Sequence, residues 1–358
     1  HQSGLLKSSM TSFCKVALAG LVIALATSCS TRKTDKIYTE TQEQLHKLLK
    51  DEKQTAATRF GIIKNIAGNM TNVGDYTGAI LFLTDWVENH PEDPYNAYWL
   101  LMTANTYMQN DAKPLAEYYF ERIINNYSDL TIKDNDGKKH SVHFLCLQNL
   151  IKISKTPANR ISYFNQLITR FPLDINITEL YARLAEEYEK EGEWVLALKA
   201  LAQFTAQEDA PTIQIADIPN AYTSAKQLQA FNNSSKDWTF ESLEELVTAI
   251  KAALTSYNPT KLDSYKSKVN FFNMSWKQDE NARTAQENFS MRAFMRGNRI
   301  RFADNLDPSS TPTEAYLRTW GWANVSVWYL YFRKVNFPSD PDIHGNWEWA
   351  GIYYGEKL

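Results

Sequence analysis

The sequence has almost no net charge and lacks the short motifs that commonly mark an enzyme. Its 38 lysines and arginines nearly balance 41 aspartates and glutamates, which leaves a formal charge of −3. Nucleic-acid binding requires a concentrated positive surface, so this balance argues against a DNA or RNA partner. The patterns GxSxG and HExxH, a phosphate-binding glycine loop and a dinucleotide-binding glycine motif are all absent. We therefore predict no catalytic residues, no cofactor and no enzymatic activity.

Residues that could bind a metal ion are also few. His140 and His143 stand three residues apart, but the sequence fixes no acidic or thiol partner, so they form only half of a metal site. Residues 134–137, DNDG, resemble the start of a calcium-binding loop without its ligand spacing or its closing glutamate. We predict an exposed turn at residues 134–137 and no bound metal.

The apolar run near the beginning of the sequence is too short to cross a membrane. Its core, Val16 to Ala26, has eleven residues, whereas a membrane-spanning helix needs roughly 20. Lys7 and Lys15 precede this core and small residues follow it, which is the order of an export signal. The segment is therefore predicted to be a targeting device and not part of the fold.

The end of this segment, LATSC at residues 25–29, resembles the lipobox of bacterial lipoproteins. The resemblance implies that residues 1–29 form a signal peptide and that Cys29 carries a lipid. It further implies that the protein is anchored to a membrane of the bacterial cell envelope, facing the periplasm or the exterior. Once Cys14 is removed with the signal, only Cys146 would remain free, and no intrachain disulfide could form.

A tether and a leading helix are predicted for residues 30–58. Residues 30–36, STRKTDK, are polar and charged and are typical of a solvated tether. Residues 36–50 place Leu45, Leu48 and Leu49 at helical spacing, so a helix is expected there.

Residues 59–232 repeat one helical pattern. In residues 60–91 two helical patterns surround a Gly-Asp turn, with small residues at Ala67 and Ala79. Residues 178–211 keep the same offsets, with Ala185 and Ala197 at the small positions. Small side chains matter because two helices approach closely only where one of them projects little more than a methyl group. Weaker copies occupy residues 97–128 and 141–172.

A helix–turn–helix unit of about 34 residues with this pattern resembles the tetratricopeptide repeat. The resemblance implies a mainly helical solenoid, with a concave surface that binds a protein or peptide. The third copy differs, because Gln148 and Arg160 take small-residue positions and TIKDNDGKKH precedes it. A helical bundle without true repeats is the alternative interpretation.

Polar residues on the first helix of each pair are the candidate partner-binding positions. Side chains of this kind can hydrogen-bond an extended peptide, although they are also typical of an ordinary solvated helix face. The predicted partner-binding residues are Lys64, Asn65, Asn69, Asn105, Gln109, Asn149, Glu187 and Lys190.

Residues 233–358 are predicted to form a smaller α+β domain with an antiparallel sheet. Residues 325–335 and 346–354 are rich in β-branched and aromatic residues, which favours strands. The Pro- and Gly-rich stretch 337–345 between them indicates an antiparallel hairpin. Helices followed by such a sheet resemble the nuclear transport factor 2-like cone, a fold used for ligand pockets and for dimer interfaces.

The aromatic residues of these strands are the candidate pocket residues. They could line a site for a sugar, a lipid or a hydrophobic peptide, but alternation along a strand turns about half of them into the core. The candidates are Trp328, Tyr331, Trp347, Trp349 and Tyr353.

Taken together, the sequence predicts a lipid-anchored envelope scaffold that binds a protein or peptide partner through helical repeats. A small-molecule or peptide receptor with an aromatic pocket in the C-terminal domain is the first alternative. An envelope enzyme with its pocket in the same domain is the second.

Overall fold

The computed structural model describes residues 31–276 and 290–357, so the predicted signal peptide and Cys29 lie outside the described residues. The chain divides into two compact units. We call His1–Gly192 with Ile213–Pro219 the helical unit, and Glu193–Thr212 with Asn220–Leu358 the sheet unit. In the described part of the chain, no helix combines the length and the apolar character needed to cross a bilayer.

The helical unit contains eight helices, counted over its described residues, and each packs against the next along the chain. A short antiparallel hairpin, β1 (Thr131–Lys133) and β2 (Lys139–Ser141), separates the fifth helix from the sixth. The helices are α1 (Thr31–Leu49), α2 (Ala56–Asn72), α3 (Tyr76–Asn89), α4 (Asn96–Gln109), α5 (Lys113–Asn126), α6 (Val142–Ile153), α7 (Pro157–Arg170) and α8 (Ile177–Lys190).

Helix α1 covers both the residues assigned to a tether and most of the predicted leading helix, because it is already helical from Thr31. No glycine or proline interrupts residues 31–49, and Lys36 pairs with Glu40 one turn later, with 3.9 Å between Nζ and Oε1. Pairs at this spacing favour helix formation even on an exposed surface.

One turn geometry recurs between helices that follow each other in the chain. Gly74, Asp111 and Gly192 all adopt a left-handed backbone, with φ of 81°, 54° and 72°. Each lies two residues before the helix that follows it. Glycine reaches this conformation without steric cost, and aspartate is among the few other residues that tolerate it. The third pair has no such residue and instead begins α7 with Pro157, which suits the first turn of a helix.

Small residues lie where the paired helices come together. Ala67, Ala79, Ala104 and Ala116 are all fully buried, at 0% exposure. Helix α4 is buried around its whole circumference, since every residue from 96 to 106 is buried. An alanine at these positions leaves room for the neighbouring backbone and for large rings such as that of Trp99.

The sheet unit combines helices with a five-stranded sheet of order β3-β7-β6-β5-β4. Helix α9, which the sequence assigned to the fourth repeat, clusters with this unit, and so does α10. The elements are α9 (Trp194–Thr205), α10 (Ala221–Asn233), α11 (Leu243–Thr255), α12 (Pro259–Ser264), β3 (Phe272–Ser275), α13 (Met291–Met295), β4 (Arg301–Phe302), β5 (Glu314–Trp320), β6 (Val327–Lys334) and β7 (Trp347–Tyr354).

The predicted hairpin between the last two strands is confirmed, with Leu330 opposite Ile352 in an antiparallel pair. The sheet as a whole is mixed and not purely antiparallel, because β3 pairs with β7 in parallel. Gly351 makes this pairing possible, since a Cβ at that position would lie only 2.6 Å from the ring of Phe272. A parallel partner separated by most of a domain leaves no turn signal in the sequence.

Replacing Ala67 by leucine tests the close approach of α2 and α3. The added atoms have no space in a packed core, so we expect the free energy of unfolding to fall by about 1–3 kcal/mol. Ala57→Leu is the matched control, because Ala57 is exposed on the same helix and should change stability by less than about 0.5 kcal/mol. Urea unfolding followed by circular dichroism measures both, and equal effects would contradict the packing argument.

Candidate partner-binding face of the helical unit

The eight predicted partner-binding residues lie on α2, α4, α6 and α8, the first helix of each predicted pair. The structure separates them by exposure, and it does not place all of them at an accessible surface. Gln109 and Lys190 are exposed, Asn105 and Glu187 are buried, and Lys64, Asn65, Asn69 and Asn149 are half-buried.

Asn69 joins two helices of the unit. Its Nδ2 donates to Oε1 of Gln42 on α1 at 3.0 Å, and Nε2 of Gln42 donates to the carbonyl of Ile66 at 3.1 Å. Gln42 is only 7% exposed, so these two bonds hold α1 against α2. Gln42 is not among the residues predicted from the sequence. Its signal is a polar side chain on the apolar side of an amphipathic helix, which requires a buried hydrogen-bond partner.

Two residues on the first helices of the predicted pairs have a side-chain donor with no partner among the described residues. Asn105 is 9% exposed, and its Nδ2 has no hydrogen-bond partner among the described residues. Lys64 is half-buried and forms no ion pair within the described part of the chain. Removal from water disfavours the charged ammonium, which lowers the pKa of Lys64. By contrast, Asn149 is satisfied within its own helix, with Nδ2 donating to the carbonyl of Leu145 at 2.8 Å.

Glu187 joins α8 to α7 through an ion pair, so its carboxylate is not available to bind a partner protein. Its Oε1 accepts a bond of 2.7 Å from Nε of Arg160, and Nζ of Lys190 lies 3.4 Å from the same oxygen. Nη1 of Arg160 also donates to the carbonyls of Ile151 and Ser154. Arg160 takes a position where the repeat pattern favours a small residue, and this pairing explains the difference: the guanidinium replaces close packing with a buried charge pair.

Two clefts lie beside the inner helices. The larger has a volume of about 500 Å³ and is lined by α1 and the end of α2, with three basic side chains and one acidic side chain. The smaller, of about 160 Å³, is lined by α6, α8 and residues 213–216. The three basic side chains of the larger cleft are those of His46, Lys47 and Lys50, and its carboxylate is that of Glu43.

The two histidines considered as a metal pair have other partners. Nε2 of His140 lies 2.9 Å from Oδ2 of Asp134. The other oxygen of this carboxylate, Oδ1, accepts hydrogen bonds from the backbone N–H groups of Asp136 and Lys138 and closes the predicted turn at residues 134–137. His143 lies between the carbonyl of Tyr127, 2.8 Å from Nε2, and Arg170, whose Nη2 is 2.8 Å from Nδ1. No group of three or more metal-ligating side chains occurs in residues 31–276 and 290–357.

The five aromatic pocket candidates are all buried, and the structure divides them between two faces of the sheet. Trp328, Trp347 and Trp349 pack with Leu246 and other apolar residues on one face. Tyr331 and Tyr353 pack with Phe272 and Met274 on the other face. These side chains therefore do not line one common cavity, and their packing is that of core residues.

Neither the comparison with known protein families nor the comparison with curated protein sequences found a match to this chain. Any function must therefore be argued from the geometry of its own residues.

Glu187→Ala tests whether this carboxylate has a structural role. The substitution leaves the guanidinium of Arg160 without its charge partner, and we expect the free energy of unfolding to fall by about 3 kcal/mol. The double variant Arg160→Leu/Glu187→Leu should recover most of that loss, since an apolar pair needs no partner.

Lys190→Ala is the control for this series, because the Lys190 side chain is 60% exposed and its removal should cost less than about 0.5 kcal/mol. Urea denaturation curves provide the measurement. A Glu187→Ala protein as stable as the wild type would show that the pair contributes nothing to the fold.

Proposed function

We propose that this protein is a scaffold of the bacterial cell envelope that binds an acidic segment of a partner protein through helix α2 and the cleft beside α1. The observation that carries the proposal is the Lys64 ammonium on α2, which is half-buried and has no ion pair among the described residues. A carboxylate from a partner would give this cation a charge-assisted hydrogen bond.

The charges of the α1–α2 cleft support an acidic partner. His46, Lys47 and Lys50 line it against the single carboxylate of Glu43. The protein as a whole is slightly negative, so a local excess of basic side chains is a feature of this cleft and not of the composition. Such a patch increases the rate at which an oppositely charged segment associates and disfavours basic competitors.

A repeat architecture of the tetratricopeptide type is part of the same proposal. Its support is the recurrent left-handed residue two positions before the second helix of a pair, together with the fully buried alanines at positions 67, 79, 104 and 116. Repeats of this kind present their first helices along one surface, which would put α2 and α4 on the same side of the stack.

Partner binding is tested with residues 31–358 used as bait against solubilised envelope extract, followed by affinity measurement with the recovered protein. Lys64→Met should weaken binding about tenfold, because it removes the cation that the carboxylate of the partner contacts. Lys113→Met, an exposed lysine at the start of α5, is the matched control and should bind normally.

Stability separates this outcome from simple damage to the fold. Lys64 forms no ion pair within the described residues, so Lys64→Met should not lower the free energy of unfolding. Normal affinity in the Lys64→Met protein would refute the proposed site, whatever protein was recovered.

The lipid anchor is tested separately, by radioactive palmitate labelling of the full sequence expressed in a bacterium. Cys29→Ser should abolish both the label and recovery in the membrane fraction, whereas Cys14→Ser, within the predicted signal segment, should leave both unchanged. Label that persists in the Cys29→Ser protein would rule out the predicted attachment site.

A further inference from the structure

The sheet unit contains an open cavity of about 340 Å³ that the scaffold function does not use. It is lined by one side of α10, by residues 269–270 before β3, by the end of β6 and the residues that follow it, and by β7. A volume of about 300–1,000 Å³ is usual for pockets that bind small molecules. None of the aromatic pocket candidates from the sequence lines this cavity.

The walls of the cavity are largely apolar. Leu228 and Phe231 of α10 pack with Val335 and Phe337, which lie between β6 and β7. The ring of Phe231 lies 5.0 Å from that of Phe337 and 5.6 Å from that of Trp238. Such walls favour a ligand with an apolar body, since its burial is driven by the hydrophobic effect.

Polar residues also line the cavity, and among them Arg333 is held in place by a buried carboxylate. Nε of Arg333 donates to Oε1 of Glu348 at 2.8 Å, and Nε1 of Trp238 donates to Oε2 of the same carboxylate at 2.8 Å. Glu348 is 3% exposed and Trp238 is fully buried, so the carboxylate is fixed and holds the guanidinium in one orientation. The two Nη atoms of Arg333 have no hydrogen-bond partner within the described residues.

The charges around the cavity favour an anion. Both oxygens of Glu348 are occupied, while Arg333 and Lys334 also line the cavity. A third cation, the ammonium of Lys236, lies 5.9 Å from the ring centroid of Phe337 at the wall. A planar guanidinium with two free Nη atoms matches the two oxygens of a carboxylate.

We infer that this cavity binds a small monocarboxylate with an apolar body. The carboxylate accepts hydrogen bonds from Nη1 and Nη2 of Arg333, and the apolar body packs against Leu228, Phe231 and Phe337. Glu348 is a positioning residue, because both of its oxygens are engaged by Arg333 and Trp238 and it thereby orients the guanidinium. The sequence carries a signal for this site in NWEW at residues 346–349. Glu348 stands between two tryptophans of a buried strand, and a buried carboxylate needs a charged or hydrogen-bonding partner.

Isothermal titration of the protein with 4-phenylbutyrate and with its neutral amide tests the inference, with octanoate and octanamide as a second pair. We expect each acid to bind at least about tenfold more tightly than its amide, which is the usual effect of a charge-assisted bidentate contact. Equal affinity of acid and amide, or no binding of either acid at millimolar concentration, would overturn it.

Two variants locate the site without leaving a buried charge unpaired. Arg333→Met/Glu348→Gln removes both charges and keeps an acceptor for Trp238, and should abolish the preference for the acid. Leu228→Trp fills the cavity and keeps the charge pair, and should weaken binding of both acids at least about tenfold. Arg318→Met is the matched control, because Arg318 on β5 pairs with Glu356 outside the cavity.

Circular dichroism confirms that each variant is folded before titration. Unchanged acid binding in folded Leu228→Trp protein would place the ligand elsewhere. Loss of acid binding in the Arg318→Met protein would show that removing any positive charge weakens binding. Either of these two outcomes contradicts the inference.

Discussion

The close approach of consecutive helices at buried alanines is the constraint from which the helical unit follows. A methyl group at positions 67, 79, 104 and 116 lets two backbones come together, and the large rings around them fill the remaining space. Because the helices are so close, the turns between them must be short and sharply reversed. This requirement explains the left-handed residue at Gly74 and at Asp111. Whether a side chain on α2, α4, α6 or α8 is buried then depends on the helices packed around it and not on its polarity.

Each unit also contains a nearly inaccessible carboxylate that joins two or more of its elements. Glu187 connects α8 to Arg160 of α7, and Glu348 connects β7 both to Arg333 of β6 and to Trp238 ahead of α11. Such pairs add little net stability compared with apolar residues, but breaking one partner is costly. Their main effect is therefore to fix which elements pack together, and in the sheet unit the same carboxylate holds a guanidinium at the wall of a cavity.

The local features of this fold could be predicted from sequence, and the non-local ones could not. Helical spacing, the Gly-Asp turn and the strand pair at 325–354 depend on residues close together in the chain, and the structure has them. The burial of Asn105 and Glu187 depends on neighbouring helices. The eight predicted partner-binding residues look alike in the sequence, but the structure separates them into buried, half-buried and exposed side chains. The bond between Trp238 and Glu348 spans 110 residues, and the parallel pairing of β3 with β7 has no intervening turn to reveal it.

The position of β7 within the sheet determines the order in which the sheet unit can be completed. This strand lies between β3 and β6, yet it follows both of them in the chain. While the chain is being synthesised, β4, β5 and β6 can form a meander. Among the described strands, β3 has no neighbour until β7 emerges, and until then the ring of Phe272 has no Gly351 to pack on. The sheet of this unit can therefore be completed only once β7 has been synthesised. A nascent chain halted before residue 347 would expose the aromatic faces of an incomplete sheet to chaperones and proteases.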